Sequence, residues 1–220
     1  METDNIKTSV KHILKALPQD VLLVAAAKTR TPEEVKRAID AGVKVIGCNY
    51  VQEAEQIYPH VKNTVQWHLI GHLQSNKAKQ ASRLFDMIET IDSLKIAMAV
   101  DRHCAEIGKI MPVLIEINSG RESNKTGVMP EDVEGLIRKI ISLQNLRIQG
   151  LMTMGPRFGD PEESRPYFKK TKAVFDRLAQ AGISNVKMKY LSMGMSNSYE
   201  IAIAEGANIV RIGTKLFGER

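Results

Sequence analysis

Only two cysteines, Cys48 and Cys104, occur in 220 residues. A chain of this length can bury its own core and has no use for a disulfide scaffold, so both thiols are expected reduced and the compartment cytosolic. Aromatic residues make up 5% of the sequence, which leaves few platforms for stacking bases. The net charge is +6, but no basic run extends beyond Lys169-Lys170. That pattern reads as a solvated basic surface, and a nucleic-acid partner is not expected. No apolar run approaches the length of a membrane span, and "METDNIKTSVKHILKAL" has no secretory core, so no membrane partner is expected either. Linkers and low-complexity tracts are also missing. Residues 1–220 are therefore expected to form one domain.

What is present is an alternation. Short apolar runs at 21–27, 43–47, 65–71, 85–91, 111–118, 146–154, 188–194 and 208–213 are separated by segments with helical patterning. In "TPEEVKRAIDAG", Thr31 is a candidate N-cap, Pro32 suits the first turn and Gly42 ends the helix. Asp92 or Ser93 caps the helix after the fourth run. Eight strand–helix units with no central reversal predict an α/β fold, a single (β/α)8 barrel of the TIM type. Strand eight has no visible helix after it. An N-terminal helix over about 5–16 is expected to pack beside strand eight in its place.

In such a barrel the functional groups sit at the C-terminal ends of the strands. "VLLVAAAKTRTPEE" delivers Lys28 to the end of strand one. Burial raises the cost of a charged amine, so a lysine placed there either escapes to solvent or is used as a nucleophile. "SMGMSNS" (192–198) after strand seven and "RIGTKLFG" (211–218) after strand eight have the composition of a phosphate cradle. Glycine lets the backbone approach, and Ser196 and Thr214 add hydroxyls. Gly194 and Gly213 can each be ordinary turn residues, but on adjacent strands they point together to phosphate. Arg211 lies inside an apolar strand and needs a partner, either a neighbouring carboxylate or an acceptor on a ligand. Pyridoxal 5'-phosphate (PLP) uses all three parts: aldehyde on the lysine, phosphate in the cradle, ring nitrogen at the arginine. An aldolase acting on a sugar phosphate uses only the first two.

Several segments in order along the chain carry a resemblance. They are "VAAAKT" (24–29), "NYVQEA" (49–54), "WHLIGHLQSNK" (67–77), "GLMTM" (150–154), "RPYF" (165–168), "LSMGMS" (191–196), "AIAEGA" (202–207) and "VRIGTKLFG" (210–218). With these the sequence resembles the pyridoxal phosphate homeostasis proteins, whose barrel is similar to the N-terminal domain of alanine racemase. The resemblance implies that Lys28 holds PLP as a Schiff base. It also implies that Ser196, Gly213 and Thr214 contact phosphate, that Arg211 faces the pyridine nitrogen, and that Asn49, His68 and Met193 line the pocket. It further implies a cytosolic, monomeric carrier without turnover that serves PLP homeostasis and hands the cofactor to apo PLP-dependent enzymes.

The sequence departs from that pattern at Ala27, Cys48, Gly155 and Ser198, and at His103 in a helix. Most of these positions are expected to face the pocket. Two alternative functions follow. In a diverged or deliberately altered pocket, Cys48 pairs with His68 as a thiol nucleophile for ester hydrolysis; in the plainer reading Cys48 is small, buried and inert. A weak amino-acid racemase using the same cofactor is the other alternative. Trp67 reads as packing. His72 is left between a helix cap and a phosphate contact, and the loop 118–127 between a lid and a solvated loop.

Overall fold

A computed structural model describes residues 2–61, 64–156 and 159–219, with backbone alone for 2–4. Eight parallel strands close into a barrel in chain order, and the first pairs with the last. They are β1 (Leu22–Ala26), β2 (Val45–Cys48), β3 (Gln66–Leu69), β4 (Met87–Ile91), β5 (Met111–Ile117), β6 (Leu146–Thr153), β7 (Val186–Ser192) and β8 (Ile209–Ile212). Each falls on one of the eight apolar runs, within a few residues at either end.

Helices form the outer layer: α1 (Glu2–Ala16), α2 (Pro32–Asp40), α3 (Val51–Val61), α4 (Ala78–Leu84), α5 (Leu94–Glu106), α6 (Val133–Ile140), α7 (Arg165–Gln180), α8 (Tyr199–Ala204) and α9 (Thr214–Phe217). No helix among the described residues is long and apolar enough to cross a membrane. The capping residues behave as their chemistry dictates. Thr31 Oγ1 accepts from the Glu34 amide while Glu34 returns a carboxylate to the Thr31 amide, a reciprocal pair with Pro32 in the first turn. Ser93, rather than Asp92, caps α5. Strand eight does have a helix after it, the single turn α9. The N-terminal helix α1 packs on α9 and α2, and together they close the outer layer beside β8.

Strand pleating splits the core in two. Leu23, Ala25 and Ala27 pack outward under the helices with Ile46, Cys48, Trp67, Leu69 and Met193. Val24, Val45, Ile70, Met87, Leu114, Met152 and Ile209 fill the lumen, with Leu22, Ala26 and Tyr190 against them. Successive side chains on a strand point to opposite faces, and this alternation decides which strand-end residues reach the site.

Candidate cofactor site at the barrel mouth

Lys28 lies two residues past Ala26 and so continues the lumen-facing row of β1. The turn after it is fixed from several sides. Thr29 adopts a left-handed backbone (φ 63°), with its hydroxyl donating to the Lys28 carbonyl at 2.6 Å. Arg30 donates to the carbonyls of Gly218 (2.5 Å) and Glu219 (3.4 Å), pairs with Glu34 and lies over the Phe217 ring. The start of the Lys28 loop is thereby tied to the residues just after α9. Lys28 Nζ stands 5.5 Å from the centroid of the exposed Tyr50 ring, a cation–π contact that orients the amine.

Beside Lys28, β8 presents the second part of the site. Ser196 Oγ accepts from the backbone amides of Gly213 (3.2 Å) and Lys215 (3.4 Å). Two N–H groups of the β8–α9 turn therefore converge on one oxygen. Gly194 needs φ 90°, and a side chain at Gly213 would press on the Ala26 carbonyl, 3.2 Å from the added carbon. Gly194 is therefore sterically required where the cradle was expected, and at Gly213 a side chain would fit only if the Ala26 carbonyl gave way by a few tenths of an ångström. Thr214 opens α9 and is exposed.

The third part lies below, inside the lumen. Arg211 is 4% exposed. Its guanidinium donates to Ser192 Oγ (2.5 Å) and to the Thr153 carbonyl (2.8 Å). Ser192 in turn donates to Glu89 Oε2 (2.6 Å), and Glu89 Oε1 meets His68 Nδ1 at 2.7 Å. The chain joins β3, β4, β7, β8 and the end of β6, so it crosses the barrel interior. Burial alone would raise the Glu89 pKa. The His68 hydrogen bond and charge, the field of Arg211 and the Ser192 hydroxyl outweigh it, and Glu89 is held below the usual carboxylate range. Arg211 is pushed down by burial, against the fields of Glu89 and Glu116. A guanidinium stays charged even so.

Glu116 on β5 is also buried. One carboxyl oxygen accepts from Thr126 Oγ1 (2.9 Å), and the other has no partner. Burial moves its pKa up, the Thr126 bond and the fields of Arg211 and His72 oppose that, and Asp92 adds to it. His72 forms an ion pair with Asp92 at 3.3 Å when its ring is protonated. The loop over 118–127 is strapped by Asn118, whose amide nitrogen donates to the Glu122 and Lys125 carbonyls, and by Lys125, which reaches the Gly155 carbonyl at 3.2 Å.

Lys28, Asn49, Ser196, Arg211, Gly213 and Thr214 thus gather at one end of the barrel. Asn49 is set by Glu53, whose carboxylate accepts from the Asn49 and Tyr50 amides at the start of α3. Gly71 is needed beside it, because any side chain there would run into the Asn49 backbone. Two expected members do not point in. Cys48 and Met193 are fully buried in the outward layer. Gly47 pairs with His68 and Cys48 with Leu69, so the thiol and the imidazole sit on opposite faces of the wall. The Cys48–His68 couple is therefore not formed. Burial, and to a lesser degree Glu53, also drives the Cys48 pKa far up, away from thiolate chemistry.

The other departures are held by local contacts. Ala27 faces the helices. Gly155 packs on Ser164, Ser198 accepts from the Met195 amide, and His103 bonds Glu106 on α5. The expectation that these positions face the pocket is corrected by the pleat at Ala27 and Cys48. Glu89 and Glu116 went unnoticed in the sequence, although a lone charge inside "MIETI" and "VLIEIN" is the same signal that marks Arg211. Among the described residues no cluster of three or more His, Cys, Asp or Glu side chains is placed to hold a metal ion.

A closed eight-stranded barrel with a lysine ending β1, a two-loop anion cradle and a buried arginine on β8 defines a class, and comparison with known proteins agrees. The alanine racemase N-terminal domain family matches residues 1–220, and the chain belongs to it. Within that class it belongs to the pyridoxal phosphate homeostasis proteins. The protein of that name from Aquifex aeolicus is 41% identical over 199 residues, which cover 90% of this chain and 86% of that one. PipY of Synechococcus elongatus, solved without PLP, superposes with a TM-score of 0.91 at 32% identity over 97% of this chain and 100% of its own; with PLP bound the TM-score is 0.89. A Clostridium difficile alanine racemase, at 19% identity and a TM-score of 0.80 over 99% of this chain and 56% of its own, shares the fold.

Proposed function

We propose that this chain binds PLP as a Schiff base on Lys28 and holds it for handover, with no turnover of its own. The observation that carries the reading is the closure of β1 against β8. That pairing sets the lysine row beside the turn whose amides converge at Ser196. The donor set fits the group: an amine for an aldehyde, backbone N–H groups and hydroxyls for a phosphate, and a buried cationic donor for a ring nitrogen. The names and structures of the relatives point the same way.

When bound, PLP supplies an aldehyde that an amine captures with loss of water. Lys28 provides that amine, and Tyr50 limits where it can swing. Ser196, Gly213 and Thr214 hold the phosphate, and Asn49 closes the β2 side. Arg211 donates toward the pyridine nitrogen and keeps its own proton, because a guanidinium does not deprotonate in proteins. A donor that keeps its proton at that position would suit storage better than carbanion chemistry. His68 acts one step away, by holding Glu89 charged beneath Arg211. The protein in this reading is a cytosolic monomer, and its cargo passes to apo PLP-dependent enzymes. Two reduced, buried thiols are consistent with that compartment.

Adding PLP to the purified protein should produce an imine absorbance band in the wild type and none in Lys28→Ala. A band of equal strength in both would overturn the assignment.

A further inference from the structure

Lys28 sits in a turn that its neighbour's residue type does not favour. The ladder of β1 ends at Ala27, whose amide donates to the Gly47 carbonyl at 2.9 Å. The chain then turns sharply, and the Arg30 amide donates back to the Ala27 carbonyl at 3.0 Å. Thr29 holds the third position of this four-residue turn with φ 63°. Glycine or asparagine normally takes such a place, and a β-branched residue there is a strained outlier. Among the described residues three non-glycine side chains stand at positive φ, Thr29, Arg121 and Asn185, and of these only Thr29 is β-branched. Strain of this kind persists where the surroundings hold it, and it concentrates at functional sites.

The side chain that holds it is Arg30. One guanidinium nitrogen donates to the Gly218 and Glu219 carbonyls, the other donates to Glu34 Oε1 at 3.2 Å, and the group lies over the Phe217 ring. The second oxygen of Glu34 accepts the Thr31 amide, so the anchor of Arg30 is itself fixed by the cap of α2. Arg30 thus joins the Lys28 turn to the end of α9. The start of α9 carries the Gly213 and Lys215 amides that meet Ser196 Oγ. The helix is a single turn, about 6 Å long, so a hold on its end is a hold on its start. We propose that Arg30 is a positioning residue, a strut that sets the spacing between the Lys28 amine and the phosphate-binding turn, so that an aldehyde carrying a phosphate is captured better than the same aldehyde without one. This rests on the assignment of Lys28 as the imine-forming residue and names what that site selects: two groups held at a fixed separation on one rigid ring. The covalent step itself is unchanged. The free amine adds to the aldehyde carbon, a C=N bond forms and water leaves. Arg30 acts through the backbone at both ends of that span.

The probes are PLP and 5-deoxypyridoxal, which keeps the ring and the aldehyde and has a methyl group where PLP has its phosphate arm. Absorbance titration gives the dissociation constant of each imine in the wild type, Arg30→Gln and Arg30→Lys, with the fold of each variant checked by circular dichroism. The wild type should favour PLP. In Arg30→Gln that preference should fall by about tenfold, the scale of one charge-assisted hydrogen bond, while 5-deoxypyridoxal binding changes by less than about threefold. Arg30→Lys keeps a cation but loses the fork, so its preference should lie between the other two. This milder variant decides the question if Arg30→Gln does not fold. Equal losses for the two ligands would make Arg30 a support of the fold alone, and an unchanged preference would show that the strut is not felt at the site. Either result overturns the proposal and leaves Lys28 as the imine residue. No imine band with either ligand in the wild type would overturn the Lys28 assignment and this proposal with it.

Discussion

Arg211 and Glu89, on strands that are not neighbours in the sheet, are joined inside the barrel by one hydroxyl. Ser192 Oγ accepts from the guanidinium at 2.5 Å and donates to the carboxylate at 2.6 Å. A charge pair relayed by a single buried hydroxyl depends on that hydroxyl. Removing it leaves an acceptor and a donor buried with fewer partners.

Ser192→Ala should therefore cost about 1–3 kcal/mol of stability, read as a shift in denaturant midpoint at neutral pH. The cost should shrink in acid. Glu89 is held below the usual carboxylate range, so its contribution is present above that range and lost as pH falls through its depressed value. A cost independent of pH would mean that Glu89 is not charged in the fold.

Glu116 has the opposite sign. Burial raises its pKa, so between the unfolded and the raised value the folded state holds a proton that the unfolded chain has released. The penalty grows as pH rises from the ordinary carboxylate range and is complete above the raised value. Glu116→Gln should stabilise the protein at neutral pH by about 1 kcal/mol or more, the scale of a relieved unpaired buried charge. The gain should vanish in acid. Denaturation midpoints measured across the acid-to-neutral range check both statements.

Cys48 and Cys104 are buried, and burial raises the pKa of each thiol. Neither should react with a thiol reagent in the native state, and both should react at once in denaturant. No burst of product from an activated ester is expected. A fast native reaction traced to Cys48 by mass spectrometry would contradict the outward orientation.

Gly150 sits at a register shift between β5, β6 and β7 with φ 149°, and an added methyl would collide with the Tyr190 backbone. Gly150→Ala should destabilise by more than about 1 kcal/mol. Thermal melting checks it, and an unchanged midpoint would show that the register adapts.

The eight strands were legible because each is an apolar run bounded by turn chemistry. The faces were less so. Strands buried on both sides carry apolar residues throughout, so the alternation that marks an inward side chain is erased. That is why Ala27, Cys48 and Met193 read as pocket residues when they pack under helices, while the inward direction of Arg211 was legible. A charge in an apolar strand has one tolerable direction. Glu89 and Glu116 obey the same rule and were readable by it. The bridging role of Ser192 was not, because it depends on which strands face each other across the lumen.

The central claim rests on the Lys28 amine. The most direct measurement is borohydride reduction of the PLP-treated protein, followed by peptide mass mapping. Attachment of one pyridoxyl group at Lys28, on the peptide that runs out of β1, is the predicted result. A label on any other lysine with Lys28 unmodified would contradict the account.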